Sequence, residues 1–411
     1  MLNLIWTITI IFLSYLGLSI AKQIHFNNLK IKKISKKIDK DGLFMSLGTK
    51  IGVGSIIGTA SSILIGGAGS LFWIWIFTII FSSIIYAESY LGNKYKDKKN
   101  NISGPYFYIK KGLNKNKLSI IITILLILAY SHFFLMIQTN TITEIMHNNI
   151  YIIIISILFL LTTIILNTKE ILKILNKIVP IMCLIYILIG IFIIINNTAI
   201  ILDITKTIII EAFSYKGITV GLIVGIKRSI FQSELLVGTT AVASGISNEK
   251  SESVAYTQIL GMYFISFVIC TLTAYIILIY NNYNLNTFNS YNELLLNVFN
   301  YHLGEYGELI LIIEIILFSI TTILSGFYMG TSIIKYFTEN KTINNIIKIT
   351  MLTSSIIGLL IQNNIIWLLI DSILFIIIVL NGYAINKLKG EVNDRQWLGW
   401  KTKSSMGKSR I

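Results

Sequence analysis

Apolar runs of about 20 residues recur along the chain, each long enough to cross the hydrocarbon core of a bilayer as a helix. No other feature restricts the fold as much, because a segment in lipid must satisfy its own backbone polar groups. Charged residues make up 13% of the 411 positions and apolar residues 54%, against roughly a quarter charged in soluble domains. The chain therefore reads as an all-α polytopic membrane protein. Eleven candidate spans lie near 3–21, 48–66, 70–92, 118–138, 150–167, 178–196, 217–245, 254–281, 307–337, 344–362 and 364–386. The first has its basic flank on the C-terminal side, which argues against a cleaved signal peptide. Cys183 and Cys270 stand alone in apolar runs, so neither a disulfide frame nor a thiolate metal site is indicated.

A formal charge of +15 would suit a nucleic-acid binder if it were gathered in one patch. It is spread by loop instead. Segments 22–50 and 93–117 carry eight lysines each and the tail after 386 carries seven basic residues, while 139–149 and 282–306 carry none. Basic and non-basic loops alternate, as the positive-inside rule requires. This predicts an outside N-terminus and a cytoplasmic C-terminus, makes the bilayer the partner of the charge, and leaves no role for nucleic acid.

With the first helix set aside, ten spans divide into two sets of five that enter the membrane from opposite sides. The first helix of one set holds Lys50-Ile51-Gly52-Val53-Gly54-Ser55-Ile56-Ile57-Gly58-Thr59-Ala60, and the first of the other holds Gly217, Gly221 and Gly225 ahead of Lys227-Arg228 and Glu234. Each glycine costs a helix roughly 1 kcal/mol relative to alanine. Glycines also let membrane helices pack closely. Their matched positions in two oppositely oriented halves favour interrupted helices, which in transporters form the binding site near the midplane. The expected organisation is an extra helix and basic loop over 1–45, inverted repeats over 46–200 and 201–388, and a basic tail over 389–411.

Ile51-Gly52-Val53-Gly54-Ser55-Ile56-Ile57-Gly58, Gly66-Gly67-Ala68-Gly69-Ser70-Leu71-Phe72-Trp73-Ile74-Trp75, Ala87-Glu88 and Gly104-Pro105-Tyr106-Phe107-Tyr108-Ile109 resemble the alanine/glycine:cation symporters. So do Gln138-Thr139-Asn140, Gly225-Ile226-Lys227-Arg228-Ser229-Ile230-Phe231 with Glu234, and Thr321-Thr322, in the same order from about 45 to 330. The resemblance implies a leucine-transporter-type fold and sodium-coupled uptake of small neutral amino acids across a plasma membrane. This sequence departs from the family pattern at Ser55, where Asn is usual, and at Gln232-Ser233-Glu234-Leu235-Leu236, where Ser-Asn-Glu-Ala-Gly is usual. It departs again at Gly326, near which the family has Trp.

An amino-acid zwitterion needs positive potential at its carboxylate and acceptors at its ammonium, which half-helix ends supply. The expected substrate contacts are amides around Gly52, Gly54 and Ser55, hydroxyls of Ser55 and Thr59, the amide of Gln138, and Phe231 as a lid following the second break. The hydroxyls have an alternative, bonding back to the preceding turn. By the resemblance, the sodium ligands are the Thr321 and Thr322 hydroxyls with carbonyls of Gly48, Ile51 and Phe318. Asn140 is a further polar candidate. Lys227, Arg228 and Glu234 read as gating or structural ion pairs with Glu314 or Asp371, and Glu88 as a structural cap or pair. An enzyme would need a clustered nucleophile or metal set, and His25, His132, His147 and His302 show no such spacing. A channel is another rival, since broken helices also line pores, and so is a diverged amino-acid carrier with another substrate or with proton coupling, for which Glu234 is the first carboxylate to test.

Overall fold

The computed structural model describes residues 2–29, 38–145, 150–280, 288, 290–360 and 363–392. Helices account for nearly all of it, and among the described residues the only β pairing is an isolated bridge between Asp97 and Ile102. In order they are α1 (Leu2–Gln23), α2 (Lys40–Lys50), α3 (Val53–Gly66), α4 (Gly69–Tyr95), α5 (Pro105–Leu113) and α6 (Asn116–Glu144). Then come α7 (Ile150–Ile165), α8 (Thr168–Asn196), α9 (Thr198–Ala212), α10 (Gly217–Gln232), α11 (Thr239–Ala243) and α12 (Ser251–Ile279). The chain continues with α13 (Tyr291–Leu303), α14 (Gly307–Ile334), α15 (Lys341–Leu360) and α16 (Asn363–Leu388). Helix α6 carries a π-helical segment at Leu128–Phe133 and α12 one at Phe264–Cys270.

Local chemistry sets several starts. Asn167 caps α8 by accepting from the amides of Lys169 and Glu170, and Glu170 bonds back to the Asn167 amide, a complete capping box. Pro105 opens α5, where its missing N–H costs nothing. Ser290 accepts from the Glu293 amide at 3.1 Å to start α13.

Among the described residues, seven helices are long and apolar enough to cross a membrane, or nine spans if each of two bent pairs counts as one. This is a multi-pass membrane protein, and the expected count of eleven spans is not confirmed among the described residues. At 16 residues, α7 falls short of the roughly 20 that a bilayer core requires. The expected loop 197–216 is mostly helix: α9 buries a stripe of Ile204, Ile208 and Ala212, then turns by 82° into α10. Most of the expected tail 389–411 and part of the loop 282–306 lie outside the described residues.

Burial is graded. In α4 and α12, 61% and 67% of the most apolar window is buried against 33% in α8 and α15, so the first two form the middle and the others the periphery. Ile181, Leu184, Leu188 and Ile195 on α8 are exposed on one stripe, the pattern of a lipid-facing side. Helices α2, α3, α10 and α11 pack against this middle layer, which brings both interrupted segments inside the bundle.

Candidate functional site

The first interruption falls where the glycines predicted it. Helix α2 ends at Lys50, α3 begins at Val53, and the axes differ by 45°. Ile51 closes α2 by donating its N–H to the Leu47 carbonyl at 2.7 Å, and Gly52, at ψ −175°, turns the chain into α3. The Gly48 carbonyl lies beyond that last bond, and it accepts from the Thr322 hydroxyl at 3.1 Å instead. The Phe318 carbonyl, 2.8 Å away, is the alternative acceptor for the single Thr322 hydroxyl hydrogen, and Thr321 donates to the same carbonyl at 3.0 Å. Two carbonyls and two hydroxyls, all buried, thus gather at one point between α2 and α14. A Cβ on Gly52 would stand 2.6 Å from the Thr322 hydroxyl, so glycine is needed for α14 to approach. Ile51 is buried beside them on the break. The two hydroxyls can rotate and the two carbonyls are hard oxygen donors, so the cluster is of the ligand type that a hard cation takes.

Beside this cluster, with Gly52 in its wall, lies a cavity of about 210 Å³, lined by both interrupted helices together with α6 and α16. Of the expected substrate residues, Gly52, Gly54, Ser55, Gln138 and Phe231 line it. No atom lies within 4 Å of a Cβ built on Gly54, so the cavity begins where that side chain is missing. The Gln138 side-chain oxygen is buried with no hydrogen-bond partner. Ser55 lines the wall, but its hydroxyl donates back to the Gly52 carbonyl at 2.8 Å. Thr59 is not on the wall and donates to the Ser55 carbonyl at 2.7 Å. Both hydroxyls are thus spent on the preceding turn. Asn140 is buried away from the cavity.

The second interruption is displaced from its expected place. Gly217, Gly221 and Gly225 sit in continuous π and α helix. A Cβ on Gly221 would stand 2.9 Å from the Gly66 carbonyl, and one on Gly225 2.7 Å from that of Ser70. Close packing against α3 and α4 is what they serve. The break is at 233–238, after α10, with Glu234, Leu236 and Gly238 at φ of 51°, 62° and 88°. Phe231 therefore precedes the break rather than following it, and its ring meets Trp6 of α1 at 5.7 Å.

Glu88 holds this break together. Its carboxylate, fully buried on α4, accepts from the amides of Leu236 (3.2 Å) and Gly238 (3.0 Å) and from Asn381 of α16 (2.9 Å). Asn381 also donates to the Leu236 carbonyl at 2.8 Å and accepts from Tyr108. Leu236 occupies a left-handed position where the resembling family has glycine, a conformation costing a non-glycine residue roughly 1–2 kcal/mol. Leu235 and Leu236 are buried outside the cavity wall, so they do not fill it. Gly326 is off the wall too: its Cβ position is taken by Leu135, 2.7 Å away.

Of the expected pairs, Lys227 with Asp371 is met, while Arg228, Glu234 and Glu314 divide differently. Arg228 donates to the Gly54 carbonyl, tying α10 to the start of α3. Lys227 lies 5.3 Å over the Trp6 ring and interacts electrostatically with Asp371, which lines the cavity from α16. Glu234 accepts from Thr49 at 2.9 Å and is balanced by Lys50, whose ammonium donates to Ser46 and Thr240. Glu314 faces none of these cations. Sequence reasoning missed Lys50 and Asp371 as wall residues. The available signal was an ionisable group inside an apolar span, which is costly unless it has a use.

A family model for the sodium:alanine symporters matches residues 1–409. The chain belongs to the sodium:alanine symporter family. Its similarity to named members is moderate but long. The amino-acid carrier protein AlsT of Bacillus subtilis is 28% identical over 353 residues, covering 82% of this chain and 75% of that one. The sodium/alanine symporter AgcS of Methanococcus maripaludis is 26% identical over 323 residues, covering 73% and 71%. An uncharacterized transporter of Haemophilus influenzae is 28% identical over 359 residues, covering 82% and 74%. The family is one of cation-coupled amino-acid symporters, membrane transporters rather than enzymes. In this symporter the two interrupted helices and the cavity lined by both are the candidate site.

Proposed function

We propose that the chain imports a small neutral amino acid across a plasma membrane together with sodium, by alternating access. Inverted repeats over 46–200 and 201–388 would rock around the cavity, with the N-terminus outside and the C-terminus cytoplasmic. One observation carries this reading: the open space at Gly54 and the oxygen cluster of Gly48, Phe318, Thr321 and Thr322 lie on two sides of one helix break. A substrate carboxylate would sit at the N-terminus of α3, where the helix dipole is positive, beside Gly52 and Gly54. Its ammonium would face the carbonyls ending α10, with Gln138 supplying the unspent acceptor and Phe231 covering the side chain. Sodium would take the oxygen cluster, with the Ile51 carbonyl as a further ligand. Because the two sites share the break, filling one would order the backbone that the other uses, which is positive coupling.

The test is uptake of labelled alanine, glycine and serine into liposomes holding the purified protein, with and without an inward sodium gradient. Saturable uptake that follows the gradient is expected. Thr322→Val keeps the volume and deletes one oxygen. It should raise the sodium concentration for half-maximal uptake by about tenfold, the effect of roughly 1.4 kcal/mol. Saturating sodium should restore much of the lost substrate affinity. Sodium-independent uptake, or unchanged sodium dependence in a folded Thr322→Val protein, would remove the coupling assignment. Ohmic current would replace the carrier by a channel.

A further inference from the structure

Among the described residues, Glu88, Glu234 and Asp371 are provided for and Glu314 is not. Glu88 has three donors, Glu234 has Thr49 and nearby Lys50, and Asp371 has nearby Lys227. Glu314 of α14 is fully buried, and neither of its carboxyl oxygens has a hydrogen-bond partner. Among the described residues no Lys, Arg or His from any helix packed on α14 acts on it, nor does another acid. The groups that feel it are Cys183 and Tyr186 of α8, both neutral. Tyr186 is turned away, with its hydroxyl 2.6 Å from that of Thr273 on α12.

Glu314 is one turn from Phe318 and two from Thr321, so the three share a face of α14. Helix α8 covers that face. Met182 takes the Thr321 hydroxyl at 3.4 Å, and the rings of Tyr186 and Phe318 lie 5.7 Å apart. One seam between α8 and α14 thus encloses both the bare acid and one edge of the oxygen cluster. An ionised carboxylate sealed there would pay several kcal/mol of desolvation with no ion or donor to return it. A neutral acid pays far less.

We propose that Glu314 is a proton-binding site, loaded while the α8–α14 seam is closed and emptied when that seam opens to water, in competition with cation binding at Thr321. The step is an association: a proton from water joins a carboxylate oxygen, one O–H bond forms, and reopening returns the proton to water. No oxidant or further reactant takes part. The link to sodium rests on the cation site proposed above, whereas the proton site itself does not. By linkage, each ligand that biases the seam changes the affinity of the other.

Infrared difference spectra of the purified full chain in lipid vesicles read the proton directly. At about pH 7 the wild type should show the carbonyl band of a buried protonated acid, and Glu314→Gln should lose it. Glu314→Asp should keep an acid band at a shifted frequency, and it serves if the Gln variant fails to fold. Radiolabelled sodium binding to the same vesicles should weaken severalfold as the pH falls in the wild type and become flat in Glu314→Gln. A spectrum unchanged by either substitution overturns the proposal, and so does sodium binding that is equally pH-dependent in Glu314→Gln. Neither measurement needs a transported substrate, so failure here is distinct from failure of the uptake assay.

Discussion

Three glycines of the opening motif are within seven residues of one another and have three different jobs. Gly52 lets Thr322 approach, Gly54 faces open space, and Gly58 lies under the Arg228 guanidinium. These jobs predict different outcomes for one added methyl. Gly54→Ala meets nothing within 4 Å, so folding should be retained and helix propensity could add up to about 1 kcal/mol. The cavity loses that volume, so half-maximal substrate concentration should rise. Gly58→Ala drives its Cβ into Arg228 and pushes that side chain off the Gly54 carbonyl, which should destabilise the protein by about 1–3 kcal/mol. Melting curves of the two purified variants, read beside their uptake, separate the two effects. If Gly54→Ala transports with unchanged affinity, the open volume is not where the substrate sits.

At the scale of elements, the two interruptions are stabilised by opposite means. The first relies on missing side chains, the second on a carboxylate that replaces the helical acceptors its amides have lost. Glu88→Gln puts an N–H2 group where one oxygen accepts, leaving at least one buried amide of the break without a partner. Each such group costs about 1–3 kcal/mol. The variant should melt lower, and amide exchange at Leu236 and Gly238 should speed up while α4 and α12 stay protected. Uniform exchange across the bundle would show that Glu88 serves general packing instead. Restoring the family glycine at Leu236 should not repair it. Relief of the left-handed backbone is worth roughly 1–2 kcal/mol, and losing a buried leucine side chain costs about 2–5 kcal/mol.

For the whole molecule we propose an orientation from its charge distribution. Cys183 and Cys270 are both buried, so single cysteines can be introduced into the native background without a competing label. Glu305 and Gly390 are exposed at the two ends proposed to face outside and inside. Glu305→Cys should react with an impermeant maleimide on intact cells, and Gly390→Cys only after the membrane is opened. The reverse pattern would invert the topology and with it the direction of transport.

Apolar run length and the alternation of basic loops were enough to reach a multi-pass helical protein, because bilayer thickness and membrane potential act on local sequence. The first break was legible too: Gly52 and Gly54 change the backbone where they stand. Thr321 and Thr322 were found only through resemblance, since adjacent threonines mean little until Gly48 and Phe318 are brought against them. The second break was misplaced because glycine serves close packing as readily as unwinding. The deciding fact is contact, with the end of α9 at Gly217 and with α3 and α4 at Gly221 and Gly225. Leu236 carries no local sign that it turns left-handed, because the Glu88 carboxylate that holds it there comes from another helix 148 residues away. Asp371 on the cavity wall and Glu314 in its seam looked alike in sequence, each a lone acid in an apolar span. Only tertiary structure gave one a nearby lysine and left the other bare, because a charge in low dielectric is decided by what other helices bring within a few ångströms.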